Sequence, residues 1–263
     1  MLRDITLGQY YPAESVIHRL DPRVKFAGTF IYIVSLFVFK TFWGFILPAV
    51  WLAAVVALAK IPPKYLLKGL RPVLFLLLFM TAMNLLVTQG EVIAQWWIIK
   101  ITKEGIKTAG FMGLRLALLV MGSSLMTYTT TPTALTAAME RIFRPLKIFQ
   151  VPVHELAMMM SIALRFIPIL LEETDRIMKA QQARGADFES GNILKRAKAM
   201  LPILVPLFVS AFRRAGDLAQ AMEARCYHGG EGRTKLHPLK YAARDFVGYF
   251  IMLAYLAGCI LIP

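Results

Sequence analysis

Phe42-Trp43-Gly44-Phe45-Ile46-Leu47-Pro48-Ala49-Val50-Trp51-Leu52-Ala53-Ala54-Val55-Val56-Ala57-Leu58-Ala59 runs for eighteen residues without one charge. As a helix it would rise about 27 Å, close to the ~30 Å hydrocarbon core of a bilayer. Just upstream, Val24 to Phe39 forms another apolar run, interrupted only by Lys25, and Lys40 and Thr41 divide the two. A single helix over both would extend roughly 54 Å, too long for one crossing, so two spans joined by a tight turn are expected. Lys60-Ile61-Pro62-Pro63-Lys64 ends the second span. Further apolar runs cover Pro72 to Val87, Ile106 to Tyr128 and Phe246 to Ile262. Between the third and fourth lies a mixed stretch, Thr88 to Glu104, with Trp96 and Trp97 placed as an interfacial pair.

Composition agrees with these runs. Of 263 residues 57% are hydrophobic and only 17% charged, and mean hydropathy is +0.58, the balance of a helical integral membrane protein. The formal net charge of +14 comes from lysines and arginines gathered between apolar runs. In that position they are membrane flanks, and nucleic acid is not an expected partner. Cys226 and Cys259 are the two cysteines; one is in a polar region and one in the last apolar run, so no disulfide framework is expected. The first 22 residues include Arg3, Asp4, Glu14, Arg19 and Asp21 and no apolar stretch long enough for a cleaved signal. The first apolar run is therefore expected to act as an uncleaved insertion signal.

Basic residues orient the spans. Arg3, Arg19, Arg23 and Lys25 precede or open the first; Lys60, Lys64, Lys68 and Arg71 fill the second connector. Residues 131–242 hold sixteen lysines and arginines against ten carboxylates. The opposite connectors hold Lys40 alone, and Lys100, Lys103 and Lys107. The positive-inside tendency then puts the N-terminus in the cytoplasm, with five spans in the cell membrane.

Residues 131–242 follow a different pattern. Thr131-Pro132 has the form of a helix start, and a short helix to about Phe143 is expected. Pro152 begins a longer helix with the apolar body Leu156 to Leu171, and Asn192 caps another with the body Ala199 to Phe212. Each body falls short of the roughly 20 residues a span needs, and Arg165 sits in the first, where an arginine at mid-bilayer costs about 2.5–3.5 kcal/mol. Amphipathic helices on the cytoplasmic face are the expected arrangement. The alternative has seven spans, with residues 172–198 outside. The expected fold is thus an all-α integral membrane protein of about five transmembrane helices. Its parts are residues 1–130 with four spans, a cytoplasmic helical module over 131–242, and a last span in 243–263.

Two short phrases stand out within that module. Ala180-Gln181-Gln182-Ala183-Arg184-Gly185 and Ala221-Met222-Glu223-Ala224-Arg225-Cys226 share the pattern Ala-x-x-Ala-Arg-small, and their arginines are 41 residues apart. Each follows a long apolar helix pattern. A helix ending in arginine presents a fixed cation where the last carbonyls already favour positive charge. Two such tips point to a two-point plug for a partner.

With these phrases the chain resembles the transmembrane scaffold subunit of energy-coupling factor transporters, importers of vitamins and metal ions built around paired ABC ATPases. The resemblance covers nearly the whole length. It rests on Leu20-Asp21-Pro22-Arg23-Val24-Lys25, on Ala163-Leu164-Arg165-Phe166-Ile167-Pro168, on Ala183-Arg184-Gly185 and on Asp217-Leu218-Ala219-Gln220-Ala221-Met222-Glu223-Ala224-Arg225. It implies that Ala183, Arg184 and Gly185 dock one ATPase subunit and Ala224, Arg225 and Cys226 a second. Cys226 departs from the family's glycine, at a cost for the left-handed cap conformation. The resemblance further implies that apolar helix faces, here Met159, Leu201, Leu204 and Phe208, hold a small membrane-embedded substrate-binding subunit. Methionines Met158, Met159, Met160 and Met200 suit a surface that repacks.

No catalytic residue, cofactor or metal site is expected. His18, His154, His228 and His237 have neither i,i+4 pairing nor a nearby cysteine pair, and no Gly-x-x-x-x-Gly-Lys-Ser/Thr loop is present. A membrane-embedded enzyme would need a convergent acid–base or metal constellation, and a self-sufficient secondary carrier would need charged or broken helices at matching depths of repeated halves. Neither pattern is evident.

Overall fold

The computed structural model describes residues 10–39, 41–88, 91–96, 99–188, 192–230 and 238–261. Arg3, Asp4, Lys40, Trp97 and His237, used in the sequence reading, lie outside the described residues. The chain divides into two compact units, one of residues 8–138 with 239–263 and one built mainly from 139–238.

The first unit contains α1 (Pro22–Val38), α2 (Ile46–Ala59), α3 (Pro63–Leu70), α4 (Leu74–Val87), α5 (Lys103–Thr129) and α9 (Ala243–Leu261). Helix boundaries follow local chemistry. The Asp21 carboxylate caps α1 by accepting the Arg23 N–H, with Pro22 in the first turn. Lys60, at φ 55°, closes α2 in the left-handed conformation ahead of two prolines. Thr102 caps α5 by accepting the Gly105 N–H. Between α4 and α5 the mixed stretch forms an antiparallel hairpin, β1 (Val92–Trp96) with β2 (Ile99–Thr102). Among the described residues the fold is all-α apart from this hairpin.

Aromatic and aliphatic side chains of α1, α2, α5 and α9 form the core, among them Tyr32, Leu36, Leu52, Leu118, Leu125 and Tyr255, joined by Phe45 just before α2. Polar groups within it are paired: Ser35 bonds Tyr255 Oη at 2.7 Å, and Tyr32 Oη donates to the Leu118 carbonyl. Gly122 is required for close approach, because a Cβ there would overlap the Tyr32 ring. Thr129 and Ser123 donate to carbonyls of their own helix, the backbone role expected of hydroxyls in a span. Arg115, mid-way along α5, has a defined place. Its Nη2 donates to the Phe39 carbonyl at the C-terminus of α1 at 2.8 Å, and its guanidinium lies 4.7 Å from the Phe111 ring centre. A cation there complements the helix end.

α4 has no buried residue, and Phe75 is 80% exposed, an outward apolar surface suited to lipid. Counted by length and apolarity, six segments among the described residues could cross a membrane: 42–59, 63–87, 103–129, 153–183, 198–223 and 243–261. α1, at 17 residues, falls just below that length.

The second unit is dominated by α7 (Val153–Ala183) and α8 (Ile193–Glu223), each 31 residues long. The short α6 (Pro132–Ile142) leads into it from the first unit. All three helices arise where sequence places them. The apolar bodies of α7 and α8 are shorter than a span, but their charged flanks are helical too, so helix length alone does not separate them from spans. Pro168 lies inside α7, and Pro202 and Pro206 inside α8.

Candidate functional site

Both arginine tips have the same backbone geometry. At the end of α7 the Gly185 N–H donates to the Gln182 carbonyl (2.9 Å) and the Ala186 N–H to Gln181 (3.0 Å). At the end of α8 the Cys226 N–H donates to Glu223 (2.9 Å) and the Tyr227 N–H to Met222 (3.1 Å). This is the Schellman arrangement, with Arg184 and Arg225 in the capping position and the next residue left-handed. Gly185 has φ 87° and Cys226 φ 55°. Cysteine therefore adopts the glycine conformation, because two hydrogen bonds hold the turn against its steric cost. Ala183, Arg184, Gly185, Ala224, Arg225 and Cys226 are all exposed.

Behind the tips the helices are clasped. Glu173 of α7 accepts from Ser210 Oγ at 2.9 Å and pairs with Arg214 Nη2 of α8. Glu173 is eleven residues before Arg184, and Arg214 eleven before Arg225. The clasp thus joins equivalent positions of the repeated pattern, leaving two arms of about 16 Å.

Beyond α8 the chain returns to α7. Gly230 packs on the His154 ring in the first turn of α7, and His154 Nδ1 is 2.9 Å from Glu140 Oε1 of α6. Arg184 lies thirty residues past His154, about 45 Å along α7, whereas the five residues from Arg225 to Gly230 span at most about 18 Å. Even with a bend at Pro168, the two tips are at least about 20 Å apart.

The apolar residues singled out in the sequence are exposed. Leu201, Leu204 and Phe208 of α8 are 54%, 43% and 60% exposed, and Met200, Val205, Val209 and Phe212 widen the same stripe. Met159 of α7 is exposed as well. Along α7 a different stripe, Ser161, Arg165, Pro168, Glu172, Arg176 and Lys179, is exposed at helical spacing and carries four charges.

The Leu20-to-Lys25 motif has a structural role that the sequence did not disclose. Asp245, 1% exposed in the first turn of α9, accepts the Asp21 N–H at 2.8 Å and the Ala242 N–H at 2.7 Å. Asp21 in turn pairs with Arg23, whose guanidinium stacks 3.9 Å from the Tyr241 ring centre. The Lys25 ammonium donates to the carbonyls of His18 and Thr129. Two carboxylates and two cations thus unite the N-termini of α1 and α9 with the C-terminus of α5. His18 completes this end: Ser15 Oγ donates to its Nδ1, and its Nε2 donates to the Tyr11 carbonyl. Burial, with the Lys25 ammonium nearby, holds the His18 imidazole below its ordinary pKa and favours the neutral ring. Among the described residues no group of three histidine, cysteine or carboxylate side chains could hold a metal ion.

Six long apolar helices of this kind among the described residues make the chain a multi-pass helical membrane protein. Comparison with known proteins narrows the class. The family model CbiQ, described as cobalt transport protein, matches residues 13–236. Several relatives carry the name energy-coupling factor transporter transmembrane protein EcfT. That of Acidaminococcus fermentans is 54% identical over 256 residues, covering 97% of this chain and 95% of the relative. That of Ruminiclostridium cellulolyticum is 51% identical over 261 residues, covering 99% and 98%. That of Bacillus subtilis is 46% identical over 246 residues, covering 93% of each. The chain belongs to this family, the transmembrane components of energy-coupling factor transporters.

Proposed function

We propose that the chain is a mechanical scaffold that joins two cytoplasmic ABC-type ATPases to a small substrate-binding membrane subunit during import of vitamins or metal ions. The observation that carries this reading is the pair of tips: two identically capped helix ends, each presenting an exposed arginine, held well apart by one folded unit. A guanidinium offers a planar fork of donors that can satisfy a carboxylate or several carbonyls in a groove. Arg184 engages one ATPase and Arg225 the other. ATP is hydrolysed in those partners, and this chain passes on their movement without chemistry of its own.

The substrate-binding subunit rests on the exposed apolar faces that carry Met159 on α7 and Leu201, Leu204 and Phe208 on α8. Replacing Leu204 or Phe208 by glutamate is expected to reduce retention of that subunit while the ATPases stay attached. A charge placed in an apolar interface costs about 1–3 kcal/mol or more. Copurification of both partners with each variant is the measurement, and equal loss of both would remove the assignment of this face.

In this reading the N-terminus is cytoplasmic, five helices cross the membrane, and residues 131–242 form a cytoplasmic module. Lys25 links the start of α1 to the end of α5, and Asp245 links it to the start of α9. The intervening segment must therefore cross an even number of times, none or two. The charged stripe of α7 favours none, since charges facing lipid are costly. A single cysteine at Ser190, in a chain lacking Cys226 and Cys259, is expected to react with an impermeant thiol reagent only after the cells are opened. Labelling in intact cells would establish seven spans.

A further inference from the structure

The chain beyond Arg225 does not trail away from the tip but folds back onto two other helices. Gly229, at φ 98°, turns it, and Gly230 then lies flat against the His154 ring. A Cβ on Gly230 would stand 2.7 Å from His154 Cγ and 3.0 Å from Nε2, closer than packed atoms allow. The ring has little freedom to yield. Its Nδ1 is held by Glu140, and its Nε2 is buried without a hydrogen-bond partner among the described residues. Three separate pieces of chain meet here: the last turn of α6, the first turn of α7, and the segment after α8. At the Arg184 tip, a Cβ on Gly185 would meet nothing within 4 Å.

We infer that Gly230, His154 and Glu140 form a latch that sets the direction of the Arg225 tip, making them positioning residues for the second docking point. Arg225 ends an arm eleven residues long beyond the Arg214 clasp, and an arm fixed only at its base would swing. The latch supplies the second fixed point, five residues past the arginine. It also ties that tip to α6, the helix that continues from the membrane unit, so displacement of the Arg225 tip has a direct route along the chain toward α5. This inference rests on the docking reading given above.

A double-substitution cycle tests it, with two readouts. The first is tip position in the full chain alone: spin labels on Cys226, which is exposed, and on Glu155→Cys give a distance distribution by pulsed electron resonance. The second is ATP-driven uptake by the complete complex in vesicles. Gly230→Ala is expected to broaden or shift the distribution. It is also expected to cut uptake by about tenfold or more, the scale on which misplacement of a positioning group is felt. His154→Ala, which removes the ring, is expected to loosen the tip. Adding Gly230→Ala to it should then cost nothing further, because the obstacle is gone. Glu140→Gln, the mildest change, keeps the fold and is expected to broaden the distribution slightly.

Equal damage by Gly230→Ala in both backgrounds would mean that the glycine serves backbone conformation alone, and the latch would be overturned. A shifted distance with normal uptake would overturn its positioning role. Because the distance is read without ATPases, it reports on the latch even where Arg225 proves not to dock, so the two failures are distinguishable.

Discussion

Charge reversal at both tips, Arg184→Glu with Arg225→Glu, is expected to strip the ATPases from the complex while leaving the membrane unit folded and inserted. Each arginine ends a helix whose cap is made by backbone hydrogen bonds alone, so the substitutions leave the cap intact. An arginine that only complements the helix dipole at an exposed end contributes about 0.3–1 kcal/mol. Breaking a desolvated charge pair in an interface costs about 2–5 kcal/mol, a fall in affinity of roughly 30-fold or more at each site. These magnitudes separate docking from capping. Copurification of ATPases with each single variant and with the double variant, together with ATP-driven uptake, is the measurement. Each single change is expected to impair uptake, and the double change to abolish assembly. Normal assembly in the double variant would reduce the repeated phrase to helix capping.

The second large effect is expected at Asp245. Its two carboxylate oxygens accept the backbone N–H groups of Asp21 and Ala242 in a site that is 1% exposed. The same carboxylate lies in the field of the Lys25 ammonium. Asp245→Ala leaves two buried donors without partners and an excess of positive charge. Removing one member of a buried charged group costs about 3–5 kcal/mol, a large part of the net stability of a domain. Thermal unfolding of the detergent-solubilised chain is expected to fall steeply, and yield with it. Asp245→Asn should be milder, because the amide oxygen still accepts one N–H while its NH2 opposes the other. An unfolding temperature unchanged in Asp245→Ala would show that the basic end of the spans is held by apolar packing alone. Unlike the tip variants, this one is expected to lose the fold rather than a partner.

Much of the architecture was legible in the sequence, and for a local reason. An uncharged run of bilayer length has few alternatives to a helix, and Pro132, Pro152 and Asn192 marked the starts of α6, α7 and α8 within a residue. The mixed stretch after Thr88 was not legible as a hairpin, because its alternation is too short to stand out between two long helices. The arginine tips were legible because a helix cap is encoded within six residues. The identical cap at Cys226 was less so. Cysteine disfavours the left-handed conformation, and only the observed hydrogen bonds show that the turn forms regardless.

What the sequence by itself determined is therefore the membrane class, the positions of the helices, and two helix ends that finish in arginine. Each depends on residues close together in the chain, where hydrophobic length, proline and capping chemistry act directly. Tertiary structure alone decided which charges meet. Asp245 reaches Asp21 across 224 positions, Lys25 reaches Thr129 across 104, Arg115 reaches Phe39 across 76, and Arg214 reaches Glu173 across 41. No periodicity announces such pairs, because a buried charge is tolerated only where a partner is brought to it by packing elsewhere. The separation of the two tips is of the same kind. It follows from the clasp at Glu173 and the return of Gly230 to His154, contacts that exist only once α7 and α8 have packed.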